Sequence, residues 1–452
     1  MWDKNMVLES VTNYDREAVG DLGEHAVVIG GSMAGLLAAR VLADGYDQVT
    51  LVERDPMPDE PITRRGVPQA DHVHAMLEPA RVILEDLFDG YQSELEAAGG
   101  EIINAAEELD YYDGGDVLAA AEPEMLMPCA SRPLFEQITR RRVAGTSGIF
   151  IRDECHVTGY RATPDADAIE GVSIKTADGS EETLNANLVV DATGRTSKTP
   201  NWLAQHGYQS PRTDRVNVDL VYGTVMIDRP PEDTSAHLCA PSSPNTRGGT
   251  AVPVEGDRWL VTLFGIHGDH PPADRSEFLA FAESLPSDQL AILLKEREWM
   301  STEIARYPFA ASQWQRYDKL DRFPAGLVVT GDAIASFNPI YGQGMSAAAL
   351  DALQLHHTIA NGSQNIAPRF FDRTADHLDV VWRTAVGADF DFEETTGTKP
   401  TGTSLFNRYV DRVVDTAHTD ATVAEAFYRV LRLEREPTSL FRPRIVARVL
   451  WP

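Results

Sequence analysis

The order of apolar and polar positions predicts an alternation of strands and helices near the start of the chain. Residues 25–30 form an apolar run, HAVVIG, that predicts a buried strand, and residues 36–46 carry apolar side chains at helical spacing. A second apolar run at 48–53 predicts another strand, which ends in an acidic residue. Strand, glycine-rich turn, helix and strand together predict a βαβ unit of about 30 residues.

The same two periodicities return in separate blocks further along the chain. Strands are predicted in four of these blocks: 149–191, where Asp178-Gly179 marks a hairpin turn, 216–227, 249–266 and 326–332. Helices are predicted at 80–98, 132–141, 276–298, about 345–359 and through the C-terminal part. The fold class is therefore α/β, with a discontinuous Rossmann-like domain, an inserted sheet-based domain and C-terminal helices.

The predicted boundaries follow from these blocks. They are a flexible leader at 1–24, the Rossmann-like domain at 25–80, 129–205 and 320–365, the inserted domain at 81–128 and 206–319, and the C-terminal helical segment at 366–452.

Charge is the unusual feature of the composition. The 452 residues include 69 Asp+Glu against 40 Lys+Arg, a net charge of −29, and 34 of the 40 basic residues are arginine. Such a surface repels phosphate backbones, which argues against nucleic-acid binding. A carboxylate-rich, lysine-poor surface suits molar salt, where screening damps self-repulsion, so we interpret the composition as halophilic. A merely acidic mesophilic protein is the alternative interpretation.

The sequence also bears on compartment and metal binding. The N-terminus lacks a signal-peptide pattern, and no apolar run reaches the roughly 18 residues of a membrane span, so we predict a soluble, cytoplasmic protein. Three widely spaced cysteines form no CxxC pair, and His72-x-His74 comes without a third and fourth ligand. We therefore predict no disulfide framework and no metal site.

A dinucleotide-binding pattern lies inside the first βαβ unit. Gly30 and Gly35 have the outer positions of GxGxxG, with Ser32 in the place of the middle glycine, and Glu53 follows Gly30 by 23 residues. A tight turn at a helix N-terminus accepts a pyrophosphate, and the acid at the end of the second strand accepts hydrogen bonds from a ribose diol. Two alternatives are a purely structural turn and a hydrolase nucleophile elbow, although Ala34 stands where that elbow has glycine.

A second constellation follows the predicted strand at 326–332. Gly331-Asp332 ends that strand, and Pro339, Gly342, Gly344 and Met345 open the next helix. The sequence here resembles the flavin-dependent monooxygenases of the glutathione-reductase-type fold, the class of aromatic hydroxylases and squalene epoxidase. The resemblance implies bound FAD, with Asp332 on the ribityl chain and the Pro339–Met345 segment along the pyrimidine edge. Independently, a helix N-terminus near Met345 suits the negative charge of a reduced flavin.

Three further segments, 64–74, 191–202 and 441–450, are similar to the polyene epoxidases of polyether biosynthesis and their bacterial and archaeal relatives. This resemblance implies that Arg132 lies near the FAD phosphates and Val157 near adenine. It also implies that Arg54 belongs to the FAD site and that Gln69, His72 and His74 lie beside the isoalloxazine. A helix-face ion pair for Arg132 and a core position for Val157 are the structural alternatives.

The chain departs from the aromatic hydroxylases at one motif. Their Gly-x-Asp-Gly segment, which is linked to nicotinamide binding, is replaced by Asp191-Ala-Thr-Gly194. NAD(P)H or a separate flavin reductase or electron carrier is therefore expected as the electron donor. The Trp-x-Trp-x-Ile-Pro segment of flavin halogenases is absent.

The resemblance implies an oxygenase that passes one atom of O₂, through a flavin C4a-hydroperoxide, to an apolar and isoprenoid-like substrate by epoxidation or hydroxylation. An FAD-dependent reductase of prenyl double bonds and a non-catalytic flavin-binding protein are the alternatives. No catalytic side chain is assigned, and Tyr222, Trp259 and Phe264 are predicted to line the substrate pocket, with an ordinary core as the alternative.

The last segment of the chain is basic and apolar. Arg442, Arg444 and Arg448 alternate with apolar residues, which is typical of an amphipathic helix. We expect this tail to dock on its own domain, with arginine stems over apolar surface, in preference to resting on a membrane.

Overall fold

The computed structural model describes residues 11–121 and 124–451. In chain order the strands are β1 (Gly23–Ile29), β2 (Tyr46–Val52), β3 (Glu101–Asn104), β4 (Leu109–Asp113), β5 (Asp116–Val117), β6 (Leu126–Cys129), β7 (Ile149–Arg152), β8 (His156–Ala162), β9 (Ile169–Lys175), β10 (Glu181–Asn185), β11 (Leu188–Asp191), β12 (Thr213–Asp228), β13 (Ala236–Cys239), β14 (Arg247–Val254), β15 (Arg258–Gly265), β16 (Ala305–Gln315), β17 (Leu327–Val329), β18 (Ala335–Ser336) and β19 (Thr396–Gly397).

The helices, again in chain order, are α1 (Met33–Leu42), α2 (Glu78–Leu87), α3 (Tyr91–Ala97), α4 (Ala105–Glu108), α5 (Arg132–Ala144), α6 (Thr199–Gln205), α7 (Arg275–Glu283), α8 (Gln289–Glu296), α9 (Gly344–Ile359), α10 (Ile366–Asp389), α11 (Thr403–Ala417), α12 (Ala421–Leu431) and α13 (Pro443–Leu450). Among the described residues, none of these helices is both long enough and apolar enough to cross a membrane.

A five-stranded parallel sheet with the order β17-β11-β1-β2-β7 forms the centre of the first domain. In β1, Val28 lies opposite Val190 of β11 and Leu51 of β2, and all three are fully buried. Both faces of the sheet are covered, which is why its strands are continuous apolar runs rather than alternating ones. The α/β fold and the β1-α1-β2 unit predicted from the sequence are confirmed.

The second domain is built on a larger, mostly antiparallel sheet with the path β18-β16-β12-β15-β14-β13-β4-β5. The strand block predicted at 249–266 contains two strands, because Gly256 has φ +77° and turns the chain between β14 and β15. The two strands form a hairpin in which Thr250 lies opposite Thr262. Likewise, the predicted helix at 276–298 is two helices, α7 and α8.

Two other expectations differ from the structure. Residues 1–10 of the predicted flexible leader lie outside the described residues, but the part from Val11 packs on the first domain. There, the Tyr14 hydroxyl donates to Asp44 (2.8 Å) and accepts from Arg40 (2.9 Å), which fixes the segment against α1. Helices α2 and α3, which the sequence places mostly in the inserted domain, contribute Leu84 and Leu95 to the cluster that also holds α1 and α9.

The C-terminal helices divide between the two domains. Helix α10 packs into the core of the first domain through Phe370 and Val381. Helices α11 to α13 form a second cluster with one face of the large sheet, where Val414 and Phe427 meet Val252 and Leu260. The tail therefore docks on its own chain, as the sequence analysis favours.

Candidate functional site

A cavity of about 630 Å³ opens where the parallel sheet ends. Its wall combines the turn after β1, the end of β2, the segment after β11 and the N-terminus of α9. Ligands of open α/β sheets bind outside the carboxyl ends of the strands, which is the position of this cavity. We call it the first cavity.

The glycine turn after β1 is fixed by close backbone contacts. Gly30 has φ +102°, and a Cβ on it would lie 2.5 Å from the carbonyl oxygen of Ala192. A Cβ on Gly35 would lie 1.8 Å from the carbonyl oxygen of Gly30, so α1 can approach β1 only with glycine at this position. Gly35 itself is not part of the cavity wall, and its role is to bring the start of α1 to the strand.

Glu53 ends β2 inside the cavity wall and is almost fully buried. Its carboxylate accepts hydrogen bonds from the backbone N–H of Gly31 (2.7 Å) and Asp55 (2.9 Å), and Arg64 lies 3.5 Å away. These contacts hold the carboxylate beside the glycine turn, where a ribose diol would reach it.

Arg132 begins α5 and reaches the same turn from the other side. Its Nη2 donates to Ser32 Oγ (2.8 Å) and lies 3.0 Å from the carboxylate of Glu136. Its Nη1 is buried and has no hydrogen-bond partner among the described residues. A buried guanidinium nitrogen without a partner beside a helix N-terminus suits the phosphates of a dinucleotide.

The opposite wall of the cavity is formed by Asp332 and the start of α9. Asp332 lies in the cavity wall. Burial raises the pKa of its carboxyl, although the positive charges of Arg195 and Arg132 act in the opposite direction. Gly344 begins α9, and a Cβ on it would meet nothing within 4 Å, so this backbone faces open space. Gly331 lies outside the wall, where its N–H donates to Asp351 (2.8 Å).

Two histidines line the cavity between the domains. His72 Nδ1 is 2.6 Å from Thr224 Oγ1, and His74 Nδ1 is 2.9 Å from the backbone oxygen of His72. Burial lowers the pKa of His72 to about 4 and that of His74 to about 3, so both rings are neutral at neutral pH. The described residues hold no cluster of three or more His, Cys, Asp or Glu side chains that could bind a metal ion.

A second cavity, of about 840 Å³, lies between the large sheet and the helices α11 and α12. It shares five wall residues with the first cavity: Val73, Ala75, Tyr222, Pro339 and Gly342. Tyr222 and Phe264, which the sequence predicts to line the substrate pocket, both lie in its wall. The two cavities therefore meet at one boundary, formed by the turn before α9, the 73–75 segment and Tyr222.

The prediction that Trp259 lines the pocket is wrong. Its indole is fully buried in a separate cluster under α7 and α8, and its Nε1 donates to the backbone oxygen of Ser235 (2.9 Å). Trp259 and Phe264 are five positions apart on β15, and side chains at odd separations point to opposite faces of a sheet.

The turn at the boundary between the cavities is held by a buried carboxyl group from α10. One oxygen of Asp389 accepts from Asn338 Nδ2 (2.7 Å) and from the Tyr341 hydroxyl (3.0 Å), while the other has no partner among the described residues. Burial raises the pKa of Asp389 to about 7.

The structure brings most of the predicted cofactor residues together in the wall of the first cavity: Gly30, Ser32, Glu53, Arg54, Gln69, Arg132, Val157, Asp332, Pro339, Gly342, Gly344 and Met345. Sequence reasoning missed Arg195 and Asp389. Arg195 lines the cavity, donates to Ser336 Oγ (2.8 Å) and stacks on Phe309 at 4.4 Å. The feature of the sequence that could have identified it is its position directly after Asp191-Ala-Thr-Gly194.

These features fit FAD. The glycine turn and Arg132 would hold the pyrophosphate, Glu53 the adenosine ribose, and Asp332 the ribityl chain, while the open space at Gly344 lies beside the N-terminus of α9. Comparison with known families agrees: the chain belongs to the FAD binding domain family, which matches residues 24–370. It is an FAD-dependent oxidoreductase.

Similar proteins share most of the chain. Protein Rv3254 of Mycobacterium tuberculosis is 34% identical over 433 residues, which is 91% of this chain and 90% of that protein. Among solved structures, the flavin-dependent brominase Bmp2 has a TM-score of 0.64 at 15% identity, covering 91% of this chain and 94% of Bmp2. The p-nitrophenol 4-monooxygenase PnpA of Pseudomonas putida has a TM-score of 0.61 at 16% identity, covering 92% and 99%. At these identities the two structures establish a shared fold.

Proposed function

We propose that the protein is an FAD-dependent monooxygenase that inserts one oxygen atom of O₂ into an apolar substrate by epoxidation or hydroxylation. The observation that carries this proposal is the shared boundary of the two cavities. A cofactor in the first cavity and a substrate in the second would meet at Tyr222, Pro339 and Gly342. The sequence resemblance to polyene epoxidases supports epoxidation as the more specific reaction.

The overall reaction balances with an external two-electron donor. The substrate, O₂, NAD(P)H and one proton give the oxygenated substrate, water and NAD(P)⁺. Bound FAD would supply the electron transfer and the activation of O₂. A separate flavin reductase or electron carrier is the alternative donor, because Asp191-Ala-Thr-Gly194 departs from the motif linked to nicotinamide binding.

Three side chains at the boundary, Tyr222, His72 and His74, would exclude water and are neutral at neutral pH. Tyr222 is almost fully buried, burial raises its pKa well above the usual range, and its ring lies 5.5 Å from that of His72. With His72 and His74 also neutral, no charged side chain of this group faces the point where substrate and cofactor would meet. Excluding water from this point prevents the loss of the activated oxygen before it reaches the substrate.

The wall of the second cavity supports a substrate without negative charge. Its interior is formed by side chains such as Val252, Phe264 and Phe427. Four aspartates lie on the same wall, at positions 113, 391, 411 and 415, and so do two arginines. Both arginines are ion-paired within the protein, Arg383 with Asp379 and Arg432 with Glu78 and Glu434. The aspartates therefore outnumber the available cations and disfavour an anion, which supports a neutral isoprenoid over a prenyl diphosphate or a carboxylate.

The test uses the purified holoprotein at high salt, which suits its acidic composition. We expect a flavin absorption spectrum, and NAD(P)H or reductase-driven O₂ uptake that rises when neutral polyprenyl substrates are added. Product mass should increase by one oxygen atom, and ¹⁸O₂ should label it. Colourless protein that takes up no FAD would overturn the proposal.

The same preparation separates the two alternative functions. Anaerobic turnover of dithionite-reduced enzyme, with two hydrogens added to the substrate, would identify a prenyl reductase instead. Reduced flavin that reoxidises slowly, with no substrate effect on its reduction or reoxidation, would identify a non-catalytic flavin-binding protein.

A further inference from the structure

A buried carboxylate on α9 lies directly behind the wall of the first cavity. Asp351 is 1% exposed and lines neither the first nor the second cavity. Its Oδ2 accepts hydrogen bonds from the backbone N–H of Gly331 (2.8 Å) and from the hydroxyl of Thr330 (3.3 Å). These two residues directly precede Asp332, which lies in the cavity wall and would hold the ribityl chain of FAD. Asp351 therefore contacts the segment that presents Asp332 to the cofactor.

The turn at Gly331 is packed closely on its other sides. Gly331 has φ +64°, and a Cβ on it would lie 2.6 Å from the Cβ of Ala34 in α1. Towards the parallel sheet, the backbone N–H of Thr330 donates to the carbonyl oxygen of Asp191 (2.9 Å). Towards α9, the acceptor is the carboxylate of Asp351, and an N–H donates more strongly to a carboxylate than to a neutral group. The carboxylate therefore sets the position of the turn relative to α9.

The other oxygen of Asp351 is paired with a histidine of α10. His377 Nε2 lies 2.9 Å from Asp351 Oδ1, and both side chains are 2% exposed. A buried carboxylate is costly unless its oxygens have partners. Because an ionised carboxylate can only accept, Nε2 of His377 carries the proton in this contact. His377 therefore holds the second oxygen while Gly331 binds the first.

His377 belongs to a third cavity, of about 150 Å³, whose wall also contains Val11, Arg373, Asp376 and Glu436. None of the residues that line this cavity lines the first or the second cavity. Nδ1 of His377 has no hydrogen-bond partner among the described residues. His377 therefore lies outside the walls of both larger cavities, and its contact with the flavin site runs through Asp351.

The charge of Asp351 also acts on Asp332. Burial is the main cause that raises the pKa of the Asp332 carboxyl. The negative charge of Asp351 raises this pKa further, against the positive charges of Arg195 and Arg132. Asp351 is therefore linked to Asp332 in two ways, through the backbone of Gly331 and through its charge.

We propose that Asp351 and His377 are positioning residues of the FAD site, which hold the Gly331–Asp332 turn so that the Asp332 carboxylate meets the ribityl hydroxyl groups of FAD. Neither side chain touches the cofactor: Asp351 acts through Gly331, and His377 acts through Asp351. This inference rests on the binding of FAD and stands whichever reaction the flavin performs.

The first test compares two substitutions of Asp351 in the full chain. Asp351→Asn keeps an oxygen that can accept from the Gly331 N–H, whereas Asp351→Ala leaves that N–H without its acceptor. Titration of each apoprotein with FAD should give a Kd at least about tenfold higher for Asp351→Ala and within about threefold of the unaltered protein for Asp351→Asn. The visible circular dichroism of the bound flavin should change in Asp351→Ala and be restored in Asp351→Asn.

The second test asks whether His377 acts through Asp351. His377→Leu removes the partner of one carboxylate oxygen and should raise the Kd for FAD by about three- to tenfold. The double variant Asp351→Ala/His377→Leu should bind FAD no more weakly than Asp351→Ala alone, because residues that act in one chain of contacts are not additive. Independent, additive losses would overturn the proposed order of contacts.

The matched control is Thr374→Val. Thr374 is 1% exposed on α10, one turn before His377, and its hydroxyl donates to the backbone oxygens of Phe370 (3.0 Å) and Phe371 (3.2 Å). This variant should bind FAD like the unaltered protein, and denaturant unfolding of each apoprotein measures the loss of stability separately.

Three results would overturn the proposal. They are an unchanged FAD affinity in Asp351→Ala, an equal loss of affinity in Asp351→Asn and Asp351→Ala, and an equal loss in Thr374→Val. If Asp351→Ala yields no folded protein, His377→Leu decides, because an unchanged FAD affinity in that variant would overturn the role of the pair. Failure of the oxygenation assay would leave these affinities unaffected, which separates the two proposals.

Discussion

The two cavities meet at one turn, but their walls are built in different ways. Two parts of the first wall, the glycine turn after β1 and the start of α9, expose backbone to the cavity. The second cavity is bounded by side chains of the large sheet and of helices that come from distant parts of the sequence. At Gly30 the packed backbone leaves no room for a Cβ, whereas a wall made of side chains can change its shape by substitution. The glycine turn is therefore suited to one fixed ligand, and the second cavity can be reshaped by changing its side chains.

The largest expected effect is at the glycine turn. Gly35→Ala would place a Cβ 1.8 Å from the backbone oxygen of Gly30, and neither α1 nor β1 can shift without opening the core between them. We expect the variant to yield no FAD-loaded folded protein. The ratio of flavin to protein absorbance after purification measures this.

Gly344→Ala provides the contrast within the same cavity. Its Cβ would meet no protein atom within 4 Å, so the apoprotein should unfold at the same denaturant concentration as the unaltered chain. FAD affinity should fall if the cofactor occupies this space. Unchanged FAD affinity in Gly344→Ala would show that the cofactor lies elsewhere in the cavity.

The next prediction compares two residues on opposite faces of β15, Trp259 and Phe264. Trp259→Ala should lower the free energy of unfolding by about 3–5 kcal/mol, because it empties a fully buried site under α7 and α8. The apparent affinity for substrate should stay the same, since Trp259 lines neither cavity. Denaturant unfolding and steady-state kinetics measure the two quantities.

Phe264→Ala is the matched variant on the opposite face of the same strand. It should change the KM for an apolar substrate in addition to stability, because Phe264 lines the second cavity. A change of KM in Trp259→Ala that equals the change in Phe264→Ala would contradict the distinction between the two faces.

A smaller effect is expected at Arg132. Arg132→Gln removes the charge at the buried nitrogen that has no protein partner, while Glu136 keeps its contact with Arg64. The loss of one charge-assisted hydrogen bond to a phosphate corresponds to about 1.5–3 kcal/mol, or roughly a 10- to 100-fold weaker binding of FAD. Titration of the apoprotein with FAD measures the binding affinity. An unchanged affinity would show that Arg132 contacts only Ser32 and Glu136 and does not bind FAD.

The contrast between the cavities also explains what the sequence could predict. The β1-α1-β2 unit and the turns at Gly30 and Gly342 depend on short-range patterns, because close backbone approaches require glycine at fixed spacing. The predicted residues of the first cavity therefore lie together, although they come from six separate segments of the chain.

The wall of the second cavity depends on information that short patterns do not contain. The face to which Trp259 points is set by the register of β15, and a shift of one residue exchanges the two faces of a strand. The odd separation of Trp259 and Phe264 was a usable signal. In contrast, no local pattern shows that α2 and α3 pack with α1 and α9, or that Asp389 of α10 reaches the turn at Asn338, because these contacts depend on the tertiary arrangement.

The last and smallest effect is a pH dependence at the boundary between the cavities. The pKa of Asp389 in the folded protein is about 7, raised by burial above its ordinary value of 3.8. The folded state therefore binds more protons than the unfolded state between these pH values, and this carboxyl favours folding at low pH and loses that contribution as pH rises towards 7. For one proton the slope is at most about 1.4 kcal/mol per pH unit.

Asp389→Asn should remove this slope, because the amide oxygen can still accept from Asn338 and Tyr341 but does not titrate. Denaturant unfolding of both proteins from about pH 5 to pH 8 should show a difference in stability that moves in favour of the variant as pH rises. If FAD binding follows the same trend, the turn before α9 couples the protonation of Asp389 to the cofactor cavity. Stability curves that run parallel over this range would show that Asp389 keeps one charge state throughout, and the turn would then be a fixed boundary for both ligands.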